Sequence, residues 1–501
     1  MNTLTKYTVF SMLSAALLLA ACGKNFLEQN PEATLTGANF WKTESDLKQG
    51  VVGAYRSLRD MGLFSYWVFG EMRSDNTTFQ YNEPQRGQEN REFVDQFLLN
   101  SANTLLRDFW QQSYTAISRC NEVLAREASI EMSQESRNQA IGEVKLLRAF
   151  HYFNLVRQFG GVPIKLEMVT SPEEAKSNRR ASVEEVYLQI LDDLQHAAEL
   201  LPASYDGANA GRVTSGTANA LLGKVYMTRQ NFEEALAALR KVTGYSLLSD
   251  YGALFRPENK NHSESIFEIQ YLGSDPNLAS NFLYQFAPFN SGTSVTHDVG
   301  TNLSYNAGWN TPTQDLIDAY EEGDRRKAVS LAESFTLEGQ VYQVPHVIKY
   351  NHGFVQPGQT DVNFPIIRYA DVMLEIAECL NEAGFVADGE AFQLLNSVRA
   401  RAGLPAKTAA NANSALAVPN QDAFREAIMH ERQVELAFEN HRWYDLVRTG
   451  KAVEVMNAHG ERERAMNPQY PAGTYEVTPN KLLLPIPQRE VDIDNLEQNP
   501  Q

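Results

Sequence analysis

The sequence predicts a mainly α fold: helical hairpins of tetratricopeptide type, interrupted by two aromatic loop regions. Three observations carry this. Apolar residues recur at three- and four-residue spacing over much of the chain. Capping residues stand directly ahead of those stretches. Residues 61–100 and 245–365 lose the period and fill with Gly, Asn, Pro and aromatic side chains.

Taken in order, the first residues read as an export leader. Lys6 gives a small positive start, and 9–19 is an apolar run too short to span a bilayer. Leu19-Ala20-Ala21-Cys22 then reads as a lipoprotein cleavage box, with 1–21 as signal peptide and Cys22 as the lipidated residue. Several acyl chains make a lasting anchor, at roughly 0.8 kcal/mol per buried CH₂. Residues 22–40 form a polar tether.

Thr43-Glu-Ser-Asp46 is a capping box. The helix behind it places Leu47, Val51, Ala54, Tyr55 and Leu58 on one face. Residues 61–100 read as a long loop region, the kind of segment that often carries function. Helices are expected at about 103–127 and 134–159, the second stopped by Gly160-Gly161-Val162-Pro163. Ser182 and Glu185 open another, which buries Val186, Ile190 and Leu194. A hairpin follows: Ala218, Leu221, Leu222 and Val225 line one helix, Gln230-Asn231 turns the chain, and Phe232, Ala235 and Leu239 line the next. Residues 369–383 and 390–402 form a second pair. Small residues at contact positions and an aromatic at the turn suit a tetratricopeptide unit.

Residues 430–450 read as a helix continuing from Phe424. Phe424, Ala427, Ile428, Val434 and Phe438 share its core-facing arc, and Glu431 and Glu435 fall in the middle of that arc. A buried carboxylate is costly unless paired, and arginine can hold it with two hydrogen bonds. Arg432, Arg442 and Arg448 are near in sequence, and Arg368, Arg399 and Arg401 lie further back. The stretch therefore reads as a structural ion-pair network, with Glu431, Glu435, Arg432 and Arg442 at its centre. The competing readings are a metal site or an acid/base pair. Val434 stands where a zinc protease needs its second His after His430, and nothing places the two Glu in a cleft.

The formal net charge of −18 argues against nucleic acid as partner and against a polybasic grip on lipid. Cys120 and Cys379, the cysteines besides Cys22, lie in apolar helical stretches and read as buried free thiols. Gly216 to Gly223-Lys224 resembles a phosphate loop, but its spacing is wrong and Val225 replaces the magnesium-binding hydroxyl. No catalytic set, metal site or cofactor motif emerges.

Long phrases in this chain resemble the SusD/RagB family of outer-membrane nutrient-binding lipoproteins. They are Cys22 with Phe26-Leu27 and Pro31; Pro312-Thr-Gln-Asp-Leu316 with Tyr320 and Asp324-Arg325-Arg326; Arg368-Tyr369-Ala370-Asp371; the 430–450 stretch; and the tail Leu484-Pro485-Ile486-Pro487-Gln488 with Gln498-Asn499-Pro500. The resemblance implies one SusD-like domain over 41–501, with tetratricopeptide-like units packed against a loop-rich half with minor β. It implies a non-catalytic subunit that captures a glycan, or in some members a peptide, and passes it to a SusC-like TonB-dependent transporter. Lipid at the N-terminus would hold it to the outer membrane, facing the cell exterior.

Sugar rings stack on aromatic faces and need polar groups around the rim. Both loop regions offer that mixture. Tyr66, Trp67, Arg73, Asn76, Tyr284, Tyr305 and Trp309 are the expected ligand-binding residues. Two other classes remain open: an extracytoplasmic glycan-degrading enzyme using carboxylates among Glu71, Asp75 and Glu83, and a repeat scaffold that binds only proteins.

Overall fold

The computed structural model of the protein describes residues 40–80, 87–168, 171, 179–205, 207–296 and 307–500. Cys22, the expected leader and nearly all of the expected tether lie outside the described residues.

Helix packing runs from neighbour to neighbour. Helix α1 (Glu44–Phe64) packs on α2 (Thr104–Arg126), α2 on α3 (Gln134–Phe159), and α3 on α4 (Val183–Leu200). Next come α5 (Ser215–Thr228) and α6 (Phe232–Leu239), the expected hairpin, with Gln230 taking a positive φ of 60° at the turn. Helix α6 leans on α7 (Tyr369–Ala383), which contacts both α8 (Glu390–Arg401) and α9 (Gln421–Glu435). The starts follow from capping chemistry. Thr43, Ser182 and Thr214 each form a reciprocal box with the residue three positions on, and Asn103, Ser133 and Asn420 cap through one side-chain bond.

Strands are short. β1 (Ser265–Ile269) pairs antiparallel with β2 (Phe364–Arg368), which runs directly into α7. The connection between them holds further two- and three-residue pairs: 331–332 with 346–347, 335–337 with 340–342, and 354–356 with 359–360. This is a mainly α fold with a loop-rich half and little strand.

Two expectations need correction. Residues 61–80, expected as part of a long loop region, are in part helical and largely buried. Helix α1 runs to Phe64, a short helix covers Tyr66–Gly70, and Met61, Trp67, Val68, Phe69 and Met72 are fully buried. The helix through 430–450 is broken. It ends at Glu435, Phe438 and Asn440 take positive φ of 68° and 69°, and α10 (Arg442–Arg448) starts a new direction. Glu71 explains the break: its carboxylate accepts the backbone N–H of Phe438 and of Asn440, each at 2.8 Å. It supplies partners that a continuing helix would not need. A final long helix, α11, covers Ala452–Met466.

The phosphate-loop lookalike is helical, and Lys224 points its ammonium at Asp371 and Glu375, 2.8 and 2.6 Å away. Cys120 and Cys379 are buried free thiols. Among the described residues, no helix is long and apolar enough to cross a membrane.

Candidate functional site

The two aromatic regions are joined along one edge. Thr77–Thr78 pairs antiparallel with Thr311–Pro312. Gln80 N–H donates to the Gly308 carbonyl at 2.9 Å, and its side-chain oxygen accepts the Phe289 N–H at 3.1 Å. Gly308 has φ of +66°, and a Cβ there would lie 2.3 Å from Gln80 Oε1, so glycine suits the position. The next residue, Trp309, is fixed by its N–H to the Gln285 carbonyl at 2.9 Å.

Trp309 is half-buried at this junction. Its ring stacks on Trp67, with centroids 6.5 Å apart, and the Arg91 guanidinium lies 3.8 Å from the ring centroid. Arg91 donates Nη1 to Gln88 Oε1 at 3.1 Å, while its Nε has no hydrogen-bond partner among the described residues. Burial lowers its pKa to about 10, so it remains cationic at neutral pH. Indole, guanidinium and the neighbouring Gln80 form a small shelf. The Trp67 ring and the Arg91 guanidinium both lie against the indole, so what the shelf offers a sugar is planar donors for its hydroxyls rather than an open ring face.

The other expected ligand residues are placed differently. Tyr66, Trp67, Arg73, Asn76 and Tyr284 are all buried. Tyr66 sets its ring edge-on to Phe364 at 5.8 Å, and Trp67 does the same with Phe286 at 4.7 Å. The Arg73 guanidinium lies between Phe97 and Trp443, 4.9 and 4.6 Å from their centroids, and donates to the Lys481 and Leu482 carbonyls. Asn76 donates its amide to Glu71 at 3.0 Å. Tyr284 packs on Phe354 and donates its hydroxyl to the Gln356 carbonyl at 3.2 Å. These five hold the loop-rich half together and turn no face outward. Tyr305 lies outside the described residues. Sequence reasoning missed Arg91 and Gln80, which no motif distinguishes from ordinary surface residues.

Glu431 and Glu435, at the centre of the carboxylate network, are fully buried. Glu431 meets Arg326 at 2.6 Å and Arg399 at 3.1 Å. Glu435 meets Arg326, Arg368 and Arg401 at 3.0, 2.9 and 2.5 Å. Burial opposes ionisation of Glu435, but Arg401, Arg368 and Arg326 together hold its pKa down at about 2. Arg432 and Arg442 do not serve these glutamates. Arg432 bonds Asp371 and Asp445, each at 2.8 Å, and Arg442 bonds Asp75. The helix break after Glu435 re-aims Arg442, and the missed partner of both glutamates is Arg326. Arg368 also holds Glu264 and Glu439, each at 2.7 Å. The network thus ties α7, α8 and α9 to the loops.

The carboxylates considered for catalysis are absorbed too. Glu71 is fully buried and accepts Asn76, Phe438 and Asn440; burial raises its pKa to about 7. Asp75 is held by both ends of the Arg442 fork, and Glu83 lies outside the described residues. Among the described residues, no group of three His, Cys, Asp or Glu is arranged to hold a metal ion.

Two family models match the chain. The SusD family model covers residues 262–501, and a SusD-like family described as starch-binding and associating with the outer membrane covers 25–227. The chain belongs to the SusD/RagB family. A SusD-like protein of Formosa agariphila, P2, is 29% identical over 89% of this chain and 91% of its own. A solved laminarin-binding SusD-like protein superposes with a TM-score of 0.74 at 28% identity, covering 92% of this chain and all of its own. A SusD homolog from Bacteroides thetaiotaomicron gives 0.77 at 24% identity over 94% of this chain and 100% of its own, a likeness of fold. In this SusD/RagB chain, the matched C-terminal span holds Trp309 and most of the carboxylate network.

Proposed function

We propose that this chain is a non-catalytic carbohydrate-binding lipoprotein of the outer membrane that delivers glycan to a SusC-like TonB-dependent transporter. The observation that carries the binding reading is the 28% identity, over 92% of the chain, to a protein named for binding laminarin. The family description as starch-binding and outer-membrane-associated supports the same class and place. The shelf of Trp309, Arg91 and Gln80 supplies matching chemistry.

In this reading, 1–21 is removed, Cys22 carries the lipid, 22–40 is the tether and 41–501 is the SusD-like domain facing the cell exterior. The binding loops and the transporter form the transfer route, and no bond is broken. Glu71 and Asp75 support the non-catalytic side because each is committed to buried partners.

The experiment is affinity electrophoresis of the purified protein through gels containing laminarin, starch and other neutral polysaccharides, alongside peptide controls. Retardation by a polysaccharide is expected. Retention by peptides alone would replace the glycan reading with a peptide-importer one. Co-purification with membrane proteins without any retention would favour a scaffold.

A further inference from the structure

A cavity sharing no lining residue with the Trp309 shelf has a volume of about 490 Å³. Pockets of small-molecule ligands span roughly 300–1,000 Å³. Three segments build it: the chain leading into α5, the turn after α6, and the first residues of β1. Half-buried Tyr205 and Tyr245 stand on its walls.

Its polar groups are anchored from behind. Arg212 gives Nη1 to both oxygens of buried Glu143, at 3.1 and 3.0 Å, and Tyr205 donates to the same carboxylate at 3.3 Å. The Tyr245 hydroxyl lies 3.0 Å from Thr214 Oγ1. Glu268 has a side chain only 5% exposed. Its Oε2 accepts Asn363 Nδ2 at 2.9 Å, while among the described residues Oε1 makes no hydrogen bond, His262 Nε2 lying 3.9 Å from it, beyond hydrogen-bond reach. His262 is already used: Nε2 faces the Leu254 carbonyl at 3.3 Å and Nδ1 accepts the Glu264 N–H at 3.1 Å.

Glu268 therefore brings a spare acceptor to a cavity that also has a charge-neutralised guanidinium and two phenol rings. A carboxylate oxygen accepts from sugar hydroxyls, a guanidinium donates to them, and tyrosine faces cover the C–H side of a pyranose. Glu268 disfavours an anionic ligand, and Arg212, already paired with Glu143, does not offset it. We infer that this cavity is a second saccharide subsite, taking one or two neutral sugar units of a glycan held elsewhere on the protein. The inference deepens the carbohydrate-binding reading and rests on it.

The test uses the full chain carrying ¹³C-labelled tyrosine rings, with the Tyr205 and Tyr245 resonances assigned from Tyr205→Phe and Tyr245→Phe. Laminaribiose, cellobiose, maltose and mannobiose are titrated in turn. At least one should shift both resonances saturably. Thr243→Trp, at an exposed lining position, fills the cavity and should abolish that shift while leaving polysaccharide retention in gels intact. No shift with any of the four overturns the subsite. So does a shift that survives Thr243→Trp, which would place the sugar elsewhere. Gel retention of the unaltered protein separates the two readings. Retention without a tyrosine shift removes the subsite alone, and loss of both removes carbohydrate binding as well.

Discussion

Asp75 and Arg442 face each other through two hydrogen bonds of 2.8 Å, 367 positions apart in the chain. Both are buried, and the guanidinium grips the carboxylate with its Nε and one terminal nitrogen. Burial alone would raise the Asp75 pKa, yet Arg442 brings it below the usual value. The pair closes the first aromatic region onto the short helix that follows the 438–440 break. Asp75→Ala leaves Arg442 buried without its partner and should cost about 3–5 kcal/mol. A melting curve unchanged by this substitution would contradict the closure.

Glu435 makes a stronger case of the same kind, because three arginines converge on it. Glu435→Ala should destabilise the protein by about 3–5 kcal/mol or abolish soluble expression. Glu435→Gln keeps the shape and part of the hydrogen bonding, so it should lie between. Chemical denaturation of the three proteins checks the order. A Glu435→Gln variant less stable than Glu435→Ala would refute it.

Asp95 gives a pH dependence of opposite sign to the usual acidic group. Its Oδ2 accepts Thr78, Phe79 and Tyr475, and burial raises its pKa to about 7. An unfolded aspartate titrates near about 3.9. The folded state therefore holds the extra proton between those values. The stability it contributes is present below about pH 4 and lost as pH rises toward 7, an effect on the order of 4 kcal/mol. Asp95→Asn keeps an acceptor at Oδ2 and removes the titration. The stability of Asp95→Asn relative to the parent should rise from pH 4 to 7, measured by urea unfolding at each pH. Parallel profiles would show that Asp95 is ionised throughout.

The helical half was legible because its signals are local. Thr43 with Asp46 and Ser182 with Glu185 mark helix starts wherever they occur, and apolar spacing marks the buried face. The burial of Glu431 and Glu435 was legible for the same reason. Their partners were not, since Arg326 comes from a loop about a hundred positions away and a turn held by Glu71 re-aims Arg442. The aromatic residues misled most. Tyr66, Trp67 and Tyr284 lack helical period because short elements pack them from several directions, and the sequence alone does not separate that from a ligand platform.

The contrast between Trp309 and Tyr284 is testable. Arg91→Ala and Trp309→Ala should weaken polysaccharide retention with the fold preserved by circular dichroism. Tyr284→Ala should instead cost about 3 kcal/mol or more by opening a core cavity. Unchanged retention in both Arg91→Ala and Trp309→Ala would remove the shelf from the binding site.

The anchor is tested by Cys22→Ser in the exporting host. Detergent phase separation should find the parent protein in the detergent phase and the variant in the aqueous phase. A variant that stays with detergent would mean that something other than Cys22 holds the protein to membrane.

The most direct test of passive carbohydrate binding is one incubation with two readouts. Purified protein is mixed with laminarin and the other neutral polysaccharides, then assayed for retention and for the chain length of the recovered glycan. Retention with an unchanged length distribution is the expected result. Shortened chains, or no retention by any polysaccharide, would contradict it.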